Sequence, residues 1–312
     1  MSLCFVTGVA GFIGSSVAER LLSEGFSVIG IDSFTNYYSI AQKKSNLNQL
    51  QKNKEFSFYE LDLVKSDFAK LLTKVEYVFH FAAQPGVRDG FGENFIHYLN
   101  SNILATQKLL EAVKNLPVKK FVFASSSSIY GQYSSKEVSE DAVPQPISLY
   151  GSSKHMAENI CRIYFANYHV PTIIFRLFTV YGPRQRPDMS FNKFFSSILN
   201  NKKVVVFGNG NQTRDFTYIN DVVDANILAL KSNAVGEVFN IGSGSSITLK
   251  DSLKILQNIS GQNFNIEYIP KELGEGEHTL ANISKAKTIL NYSPKWNLHD
   301  GLTEEFHWLK TR

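Results

Sequence analysis

The stretch "VTGVAGFIG" (residues 6–14) joins a short apolar run to an amphipathic helix through three regularly spaced glycines. Gly8, Gly11 and Gly14 follow one another at intervals of three residues. Glycines in this arrangement permit a tight turn and a close approach of backbone N–H groups to a phosphate. The N-terminus of the following helix adds partial positive charge. The stretch therefore predicts a dinucleotide site at the first strand-to-helix turn of an α/β sheet.

Runs rich in β-branched and aromatic residues alternate along the chain with stretches of helical period. Because the runs are almost continuously apolar, the alternation is typical of a parallel sheet covered by helices on both faces. The predicted strands are "CFVTG", "SVIGID", "FSFYELD", "YVFHFAA", "KFVFASS", "PTIIFRL" and "EVFNIG". Beyond the first helix, the predicted helices cover about 102–113, 150–165, 221–230 and 249–259.

We predict an α/β fold, namely a doubly wound parallel sheet (Rossmann) with a smaller C-terminal α/β substrate domain. From about residue 180 onwards the alternation of strands and helices becomes less regular. The dinucleotide-binding domain is accordingly assigned to 1–179 and 221–245, and the substrate-binding domain to 180–220 and 246–312.

The composition is that of an ordinary globular enzyme, with 312 residues of which 43% are hydrophobic and 19% charged. The net charge of +4 is spread along the chain, so we expect no nucleic-acid partner, and the basic spots near 42–44 and 118–120 are expected to be solvated. No apolar run reaches the ~20 residues of a membrane span. Cys4 and Cys161 have neither disulfide nor metal-ligand spacing and lie in apolar patterns. We therefore expect two packing cysteines, no metal, no membrane contact and a cytoplasmic protein.

An acidic residue at the end of the second predicted strand indicates which dinucleotide is bound. Asp32 lies 18 residues past Gly14, where its carboxylate would accept hydrogen bonds from the adenosine ribose and repel a 2′-phosphate. NAD is therefore favoured over NADP. Asp62 and Leu63, after the third strand, are candidate contacts for the adenine, and a plain turn residue is the alternative for Asp62. The other candidate cofactor contacts are Phe12, Ile13, Ala82 and Ala83.

A tyrosine and a lysine share one face of a predicted helix, since Tyr150 and Lys154 lie four residues apart. A phenol with a pKa of about 10 becomes a useful base at neutral pH only when a cation stabilises its anion. The stretch "ASSSSIYG" (residues 124–131) ends the fifth predicted strand with hydroxyls and without a carboxylate. A hydroxyl there would complete a proton path to a substrate alcohol. Without the glycine loop, Asp32 and the serine run, Tyr150 and Lys154 would be explained equally well as two surface residues of a helix.

The motifs of essentially the whole chain resemble those of the extended short-chain dehydrogenase/reductases, within their nucleotide-sugar epimerase and dehydratase group. They are "TGVAGFIG", "HFAAQPGVR", "NILAT", "ASSSSIYG", "YGSSK", "RLFTVYGPRQRPDM", "GNGNQTRDFTYINDV", "FNIGSG" and "ISKA". The resemblance implies that Ser126, Tyr150 and Lys154 are the catalytic trio and that a tightly held NAD oxidises the sugar at C4. It also implies that Asn102 orients the catalytic helix beside the cofactor and that Gln84 contacts the substrate.

The resemblance further separates the reactions open to a 4-keto sugar nucleotide. Dehydratases of the group carry acids directly after the strand-five hydroxyl, and decarboxylases carry a glutamate just before their "VYG" segment. This chain has Ser127 and Ser128 instead, which favours epimerisation.

The segment "RLFTVYGPRQRPDM" is the one that indicates the sugar. It is similar to the UDP-glucuronate 4-epimerases, in which the residues matching Thr179 and Arg186 meet the uronate carboxylate. Arginine suits that role because its planar fork binds a carboxylate bidentately. A surface or diphosphate arginine is the alternative for Arg186.

The UDP end of the predicted site departs from the pattern of the group. Arg214 is the candidate diphosphate clamp, with Gln212 beside it, and a structural ion pair is the alternative for Arg214. The "RxGD"-like segment of many relatives is replaced here by "KELGEGEH". Lys271 is therefore a candidate point charge and Glu275 a candidate ribose contact, while Arg88 is left open between the substrate and a partner subunit.

The resemblance also predicts a homodimer that packs through the helices near 102–114 and 150–165. The apolar residues that would suit such a seam, although packing within the chain explains them equally well, are Ile103, Leu104, Leu109 and Leu110. The leading hypothesis is NAD-dependent 4-epimerisation of UDP-glucuronate to UDP-galacturonate through a transient 4-keto sugar. The alternatives are a UDP-glucose or UDP-GlcNAc 4-epimerase, a UDP-glucuronate decarboxylase, and a non-catalytic NAD-sensing protein.

Overall fold

The computed structural model describes residues 2–88, 90–132, 137–272, 274 and 276–312. Its strands are β1 (Leu3–Thr7), β2 (Ser27–Asp32), β3 (Phe56–Glu60), β4 (Tyr77–His80), β5 (Lys120–Ser126), β6 (Thr172–Leu177), β7 (Thr179–Tyr181), β8 (Val204–Phe207), β9 (Thr213–Arg214), β10 (Phe216–Tyr218), β11 (Glu237–Ile241), β12 (Ile247–Thr248) and β13 (Ile266–Ile269).

The α-helices are α1 (Phe12–Ser23), α2 (Ile40–Leu47), α3 (Ala69–Leu72), α4 (Phe95–Tyr98), α5 (Ala105–Val113), α6 (Leu149–Tyr168), α7 (Ser190–Leu199), α8 (Ile219–Lys231), α9 (Leu249–Ser260), α10 (Ser284–Leu290) and α11 (Leu298–Lys310). A π-helical stretch, Leu99–Leu104, joins α4 to α5. Within the described residues, no helix combines the length and the apolar character that crossing a membrane requires.

Seven strands form one parallel sheet in the order β11-β6-β5-β4-β1-β2-β3, as the alternating pattern predicts. The chain proceeds from β1 to β3 on one side and then returns to place β4 on the other side of β1. The direction of winding therefore reverses between β1 and β4. At such a reversal the loops after neighbouring strands diverge and leave a crevice at the carboxyl ends of the strands.

Apart from the edge strand β3, the strands of the sheet are largely buried, because helices cover both of its faces. All six residues of β6 are buried, and β1 is buried from Cys4 to Thr7. Cys4 and Cys161 are free thiols in the interior, which confirms the prediction that they are packing residues. The imidazole of His80 contacts the hydroxyls of Thr7 and Thr106 at 2.7 and 3.0 Å, and burial lowers its pKa to about 3.

Two expectations about surface residues change. Leu109 and Leu110 are fully buried and pack against the sheet within the monomer, so packing within the chain is the explanation that holds for these two of the four seam candidates. The basic spots are only half solvated, because Lys43 and Lys120 are buried while their neighbours Lys44 and Lys119 are exposed. Lys120 donates to the carbonyl of Ala234 at 2.6 Å.

The less regular region after residue 180 forms three small two-stranded sheets, which pair β7 with β10, β8 with β13 and β9 with β12. Short strands of two to four residues leave little periodicity in the sequence, which explains the loss of rhythm. The boundaries assigned to the two domains stay a prediction.

A buried ion pair fixes α6 to the sheet. Arg176 of β6 donates to Glu158 of α6 through Nε at 3.1 Å and Nη2 at 2.9 Å, and both side chains are at most 1% exposed. The remaining edge of the guanidinium donates to the Tyr130 hydroxyl at 2.9 Å and to the Glu140 carbonyl at 3.0 Å. Glu158 lies on the helix that carries Tyr150 and Lys154, so the pair also fixes the position of these two residues relative to the sheet.

Replacement of this arginine tests the buried pair. Arg176→Met should lower the free energy of unfolding by about 3–5 kcal/mol, because Glu158 would remain buried without a partner. Urea denaturation followed by circular dichroism measures the loss. The control is Lys254→Met, because Lys254 pairs with Asp251 at 2.8 Å but is 75% exposed and should contribute little. A loss no larger than that of the control would contradict the anchoring role.

Candidate active site

One cavity of about 1330 Å³ opens at the carboxyl ends of β1, β2, β4 and β5. It is larger than the roughly 300–1,000 Å³ of an ordinary small-molecule site. Both predicted ends of the site line this single space, namely the glycine loop and the serine run with its tyrosine and lysine. The volume therefore leaves room for a dinucleotide and a second nucleotide side by side.

Two of the three glycines in the loop stand where a side chain does not fit. Gly8 has a φ of +65°, and a Cβ there would lie 2.7 Å from the backbone nitrogen of Ala82. A Cβ on Gly14 would lie 2.2 Å from the carbonyl oxygen of Gly8. Gly11 forms the N-cap of α1, and the first turn of this helix contains no acidic residue. The loop thus leaves the positive end of α1 open to a phosphate.

The carboxylate of Asp32 is held in one orientation by the backbone. Its carboxylate accepts hydrogen bonds from the backbone N–H groups of Ala10 at 3.1 Å and Phe34 at 2.9 Å. Burial raises the pKa of Asp32, and these hydrogen bonds together with the nearby charge of Lys43 oppose that effect. The Lys43 ammonium donates to the carbonyl and hydroxyl of Thr35 at 2.6 and 3.1 Å.

The adenosine end contains further polar groups. Tyr38 lines the cavity, and its buried hydroxyl has no hydrogen-bond partner within the described residues. Asp62 lines the cavity together with the buried Leu63, and its carboxylate also accepts the N–H of Val64 at 2.8 Å. Asp62 therefore shapes its own turn, as the alternative interpretation holds, while it borders the cavity. The remaining predicted cofactor contacts that line it are Phe12, Ile13, Ala82 and Ala83.

The three predicted catalytic side chains meet beside the end of β5. The Tyr150 phenol is hydrogen-bonded to Ser126, whose hydroxyl also accepts the N–H of Ser128 at 3.1 Å. Burial raises the pKa of Tyr150, whereas the charge of Arg186 and the hydrogen bond with Ser126 act in the opposite direction. The guanidinium of Arg186 is thus a cation acting on the phenol, which the sequence reasoning assigned to Lys154 alone.

Lys154 is almost completely buried, with its ammonium anchored on the strand. It donates to the carbonyl of Ala124 at 2.8 Å and lies 4.8 Å from the centre of the Phe123 ring. Burial lowers its pKa to about 8, against the opposing influence of Cys161 and Glu158. The group is therefore mostly protonated at neutral pH.

Asn102 and Gln84 join the loop after β4 to the catalytic helix. The Asn102 amide accepts the backbone N–H of Gln84 at 2.7 Å, and it donates to the Gln84 carbonyl at 3.1 Å and the Ser153 hydroxyl at 2.8 Å. This contact with α6 agrees with the orienting role implied for Asn102. Neither residue is among those that line the cavity, so the ligand contacts predicted for them stay predictions.

The substrate end is lined by neutral hydroxyls and one arginine. Ser127, Ser128 and Thr179 border the cavity close to Tyr150, and Arg186 faces the same space. The acids that line the cavity in the described part of the chain are Asp32, Asp62, Asp188 and Glu272. The serine run itself therefore presents no proton shuttle of the dehydratase kind.

The predicted diphosphate residues lie at the far end of the cavity. Arg214 donates through Nη1 to the carbonyls of Thr213 at 2.9 Å and Glu277 at 3.0 Å, and Gln212 donates to the Phe207 carbonyl at 2.8 Å. Lys271 also lines the cavity and pairs with Glu277 at 3.1 Å. Glu275, the predicted ribose contact, lies outside the described residues.

Arg88 faces the cavity, not the outer surface of the molecule. Its Nε lies 2.7 Å from a carboxylate oxygen of Glu272, and its guanidinium lies 4.1 Å from the centre of the Phe207 ring. Of the two roles left open for Arg88, this position favours the substrate side.

Three groups at the site escaped the sequence reasoning. Lys43 belonged to a basic spot that was expected to be solvated, and Tyr38 carried no motif. Asp188 lies inside the quoted segment "PRQRPDM", two residues after Arg186, and its proximity to the arginine was the one available signal. Within the described residues, no cluster of histidine, cysteine or acidic side chains could hold a metal ion.

The Asp32 site predicts the effect of an isosteric exchange. Asp32→Asn should weaken NAD binding by roughly 10-fold or more, because the adenosine ribose would lose a charged hydrogen-bond acceptor. Calorimetric titration of the cofactor-stripped protein with NAD measures the change. The control is Asp67→Asn, since this exposed carboxylate only caps the backbone N–H of Ala69. Equal affinity in wild type and Asp32→Asn would exclude the proposed ribose contact.

Comparison with known proteins relates the whole chain to one family. The sequence profile of the NAD dependent epimerase/dehydratase family matches residues 4–242. A Bacillus subtilis protein named an uncharacterized UDP-glucose epimerase is 42% identical over 98% of this chain and 97% of its own length. A UDP-glucuronate 4-epimerase of Thermodesulfobacterium geofontis is 38% identical over 99% of this chain and 97% of its own.

The fold agrees with the same assignment. A crystal structure of UDP-glucuronic acid 4-epimerase from Bacillus cereus, in complex with UDP-glucuronic acid and NAD, superimposes with a TM-score of 0.97 at 43% sequence identity. The superposition covers 100% of this chain and 99% of that one. From its profile, its relatives and its fold, the chain belongs to the NAD dependent epimerase/dehydratase family.

Proposed function

We propose that this protein is an NAD-dependent UDP-glucuronate 4-epimerase, which interconverts UDP-glucuronate and UDP-galacturonate through a transient 4-keto sugar. The observation that carries the proposal is the lining of the substrate end. Neutral hydroxyls of Ser127, Ser128 and Thr179 and the guanidinium of Arg186 border the same cavity as Tyr150, without an acid beside the serines in the described part of the chain. Relatives that bear this name and share at least 38% of the sequence over almost the full length support it.

The residues present fit NAD as the cofactor. The closely packed glycines leave space only for a backbone, the positive end of α1 faces that space, and Asp32 offers a fixed acceptor for ribose hydroxyls. The buried Tyr38 hydroxyl supplies a further donor without a described partner. Held by these residues, NAD would supply a reversible hydride acceptor for C4 of the sugar.

Tyr150 and Ser126 move the proton that belongs to this chemistry. Tyr150 takes the proton of the C4 hydroxyl as a base and gives it back as an acid, while Ser126 holds the C4 oxygen by a hydrogen bond. Since burial alone would make the phenol a poor acid, positive charge is needed to stabilise its anion. Arg186 acts on the phenol in this way, and the family resemblance assigns the same role to Lys154. Lys154, with a pKa of about 8, carries that charge at neutral pH.

Holding the carboxylate is a chemical necessity for this substrate. Oxidation at C4 makes the uronate a β-keto acid, which loses CO₂ when its C5–C6 bond aligns with the carbonyl π system. Hydroxyl donors and a guanidinium fork would hold the carboxylate out of that alignment, and neutral serines avoid repulsion of the anionic sugar. The sugar must also turn to present its other face, which a wide cavity with polar anchors at the UDP end permits.

Two alternatives keep the same fold and trio. A neutral UDP-hexose epimerase would not need Arg186 at the sugar, and the name of the Bacillus subtilis relative keeps this candidate in view. A decarboxylase would be expected to place a glutamate before the "VYG" segment, where this chain has Thr179. Arg186 favours the acidic sugar over the neutral one, and Thr179 in place of a glutamate favours epimerisation over decarboxylation.

A homodimer and a cytoplasmic location complete the proposal. The helical segment 95–113 and α6 carry exposed apolar side chains, of which Ile96, Leu104, Met156 and Ile163 are 37–55% exposed. Paired with a second copy, these two helices would bury that surface in a four-helix seam. Two buried free thiols without a disulfide agree with a reducing compartment.

Product analysis tests the reaction directly. The purified protein should convert UDP-glucuronate to UDP-galacturonate, identified by NMR, without added NAD, because the cofactor is held and regenerated. Tyr150→Phe should lower the rate by about 10²–10⁴-fold, since the proton would have no base. The matched control is Tyr168→Phe at the exposed end of the same helix. Release of CO₂ with accumulation of a UDP-pentose would identify a decarboxylase instead.

Arg186 tests the choice of sugar. Arg186→Ala should raise the KM for UDP-glucuronate by roughly 10-fold or more, since a charged hydrogen bond is lost. The inhibition constant of UDP-glucose should change little, because that sugar has no carboxylate. Arg20→Ala, which removes the surface ion pairs with Glu24 and Asp224, is the control. Equal changes for both ligands would refute the carboxylate contact.

A further inference from the structure

An aspartate holds one edge of the Arg186 guanidinium. Nε and Nη2 of Arg186 donate to the two carboxylate oxygens of Asp188, each at 2.9 Å. Both residues line the cavity, where their side chains are 22% and 32% exposed. A bidentate pair of this kind fixes the plane of the guanidinium as well as its position.

The pairing leaves a second binding edge. Arginine has five N–H donors, and Asp188 uses one on Nε and one on Nη2. The opposite edge, formed by Nη1 and the other N–H of Nη2, makes no hydrogen bond within the described residues. That edge has the spacing of a carboxylate, so Arg186 can hold Asp188 and a second carboxylate at the same time.

The loop around the pair is fixed by other residues. The Gln185 side chain is buried, donates to the Val180 carbonyl at 3.1 Å and accepts the N–H of Asn192 at 3.0 Å. The Gln185 carbonyl accepts hydrogen bonds from Asn192 at 2.8 Å and from Gln42 at 3.2 Å. With the backbone held in this way, the direction of the Arg186 side chain depends on Asp188.

Asp188 is itself kept anionic and in place. Burial raises its pKa, but the charge and hydrogen bonds of Arg186, with a contribution from Lys193, outweigh that effect, so the pKa lies below its ordinary value. The Tyr37 hydroxyl lies 3.5 Å from the same carboxylate, and the N-terminus of α7 begins two residues later. The positive end of this helix favours an anion at that point.

We propose that Asp188 is a positioning residue, which turns the open edge of Arg186 towards the sugar and thereby contributes to the preference for an acidic sugar. The inference rests on the proposed function, and it adds a residue that acts only through Arg186. The opposing interpretation is that Asp188 competes with the substrate for the arginine. If Asp188 positions Arg186, removal of its charge should weaken the binding of the acidic sugar. If Asp188 competes with the substrate, the same change should strengthen that binding.

The experiment compares binding constants in a background that cannot turn over. Each variant is made in Tyr150→Phe with its bound NAD, and calorimetry gives the Kd for UDP-glucuronate and for UDP-glucose. Asp188→Asn keeps the shape of the side chain and should raise the Kd for UDP-glucuronate by roughly 10-fold, with little change for UDP-glucose. Asp67→Asn, an exposed aspartate far from Arg186 in the chain, is the matched control.

A second variant and a double variant separate positioning from general structural damage. Asp188→Glu keeps the charge but moves it by one methylene, so it should also weaken UDP-glucuronate binding. In Arg186→Gln, the additional exchange Asp188→Asn should have almost no further effect, because a residue that acts through Arg186 has nothing left to orient.

Several results would contradict the inference, and one would also contradict the proposed function. Unchanged or tighter UDP-glucuronate binding in Asp188→Asn, equal losses for both sugars, or additive losses in the double variant would each overturn the inference while leaving the proposed function intact. If the Tyr150→Phe parent itself binds UDP-glucose as tightly as UDP-glucuronate, the acidic-sugar assignment fails at the parent, and the inference fails with it.

Discussion

Burial of the Tyr150 phenol is the constraint on which the arrangement of the cavity depends. Loss of water raises the pKa of this group, so a phenolate forms only if the protein supplies positive charge and hydrogen bonds in place of the solvent. The parallel sheet makes that supply possible, because the carboxyl ends of its strands meet at one edge, where β5 contributes Ser126 and α6 returns with Tyr150 and Lys154. Ser126, the α6 pair of Tyr150 and Lys154, and Arg186 thus come from three segments that are separate in the chain and adjacent in the fold.

Each cation near the phenol has its own fixed anchor. Lys154 is bound to a backbone carbonyl of β5, and Arg186 is bound to the carboxylate of Asp188. Such anchors orient a charge before any ligand arrives, so that little reorganisation is left for the moment of reaction. The buried Glu158–Arg176 pair holds α6 against the sheet. The position of Tyr150 and Lys154 is therefore fixed by a rigid contact with a strand.

The parts of the fold that follow from local pattern could be predicted from the sequence. Seven apolar runs gave seven strands, and the glycine spacing with Asp32 gave the cofactor end, since both depend on steric rules that act over a few residues. The errors concern residues whose environment is set by distant segments. Lys43 has the pattern of an exposed lysine, but its ammonium is bound by Thr35 and buried. Lys120 is likewise buried, where it donates to the carbonyl of the distant Ala234. The hydrogen bonds between Arg186 and Asp188 depend on side-chain rotamers and on the geometry of the loop. The short spacing of the two residues in the sequence does not determine either of these.

The two interior thiols have a practical consequence. Cys4 and Cys161 have no accessible surface, and burial raises the pKa of both far above neutrality, so almost no thiolate is available for attack on an electrophile. A maleimide or a thiol-reactive spin label should therefore react with neither cysteine of the folded protein. One cysteine introduced on the outer surface can then carry a fluorophore in an otherwise wild-type background, which opens the molecule to distance measurements without prior removal of its own sulfur.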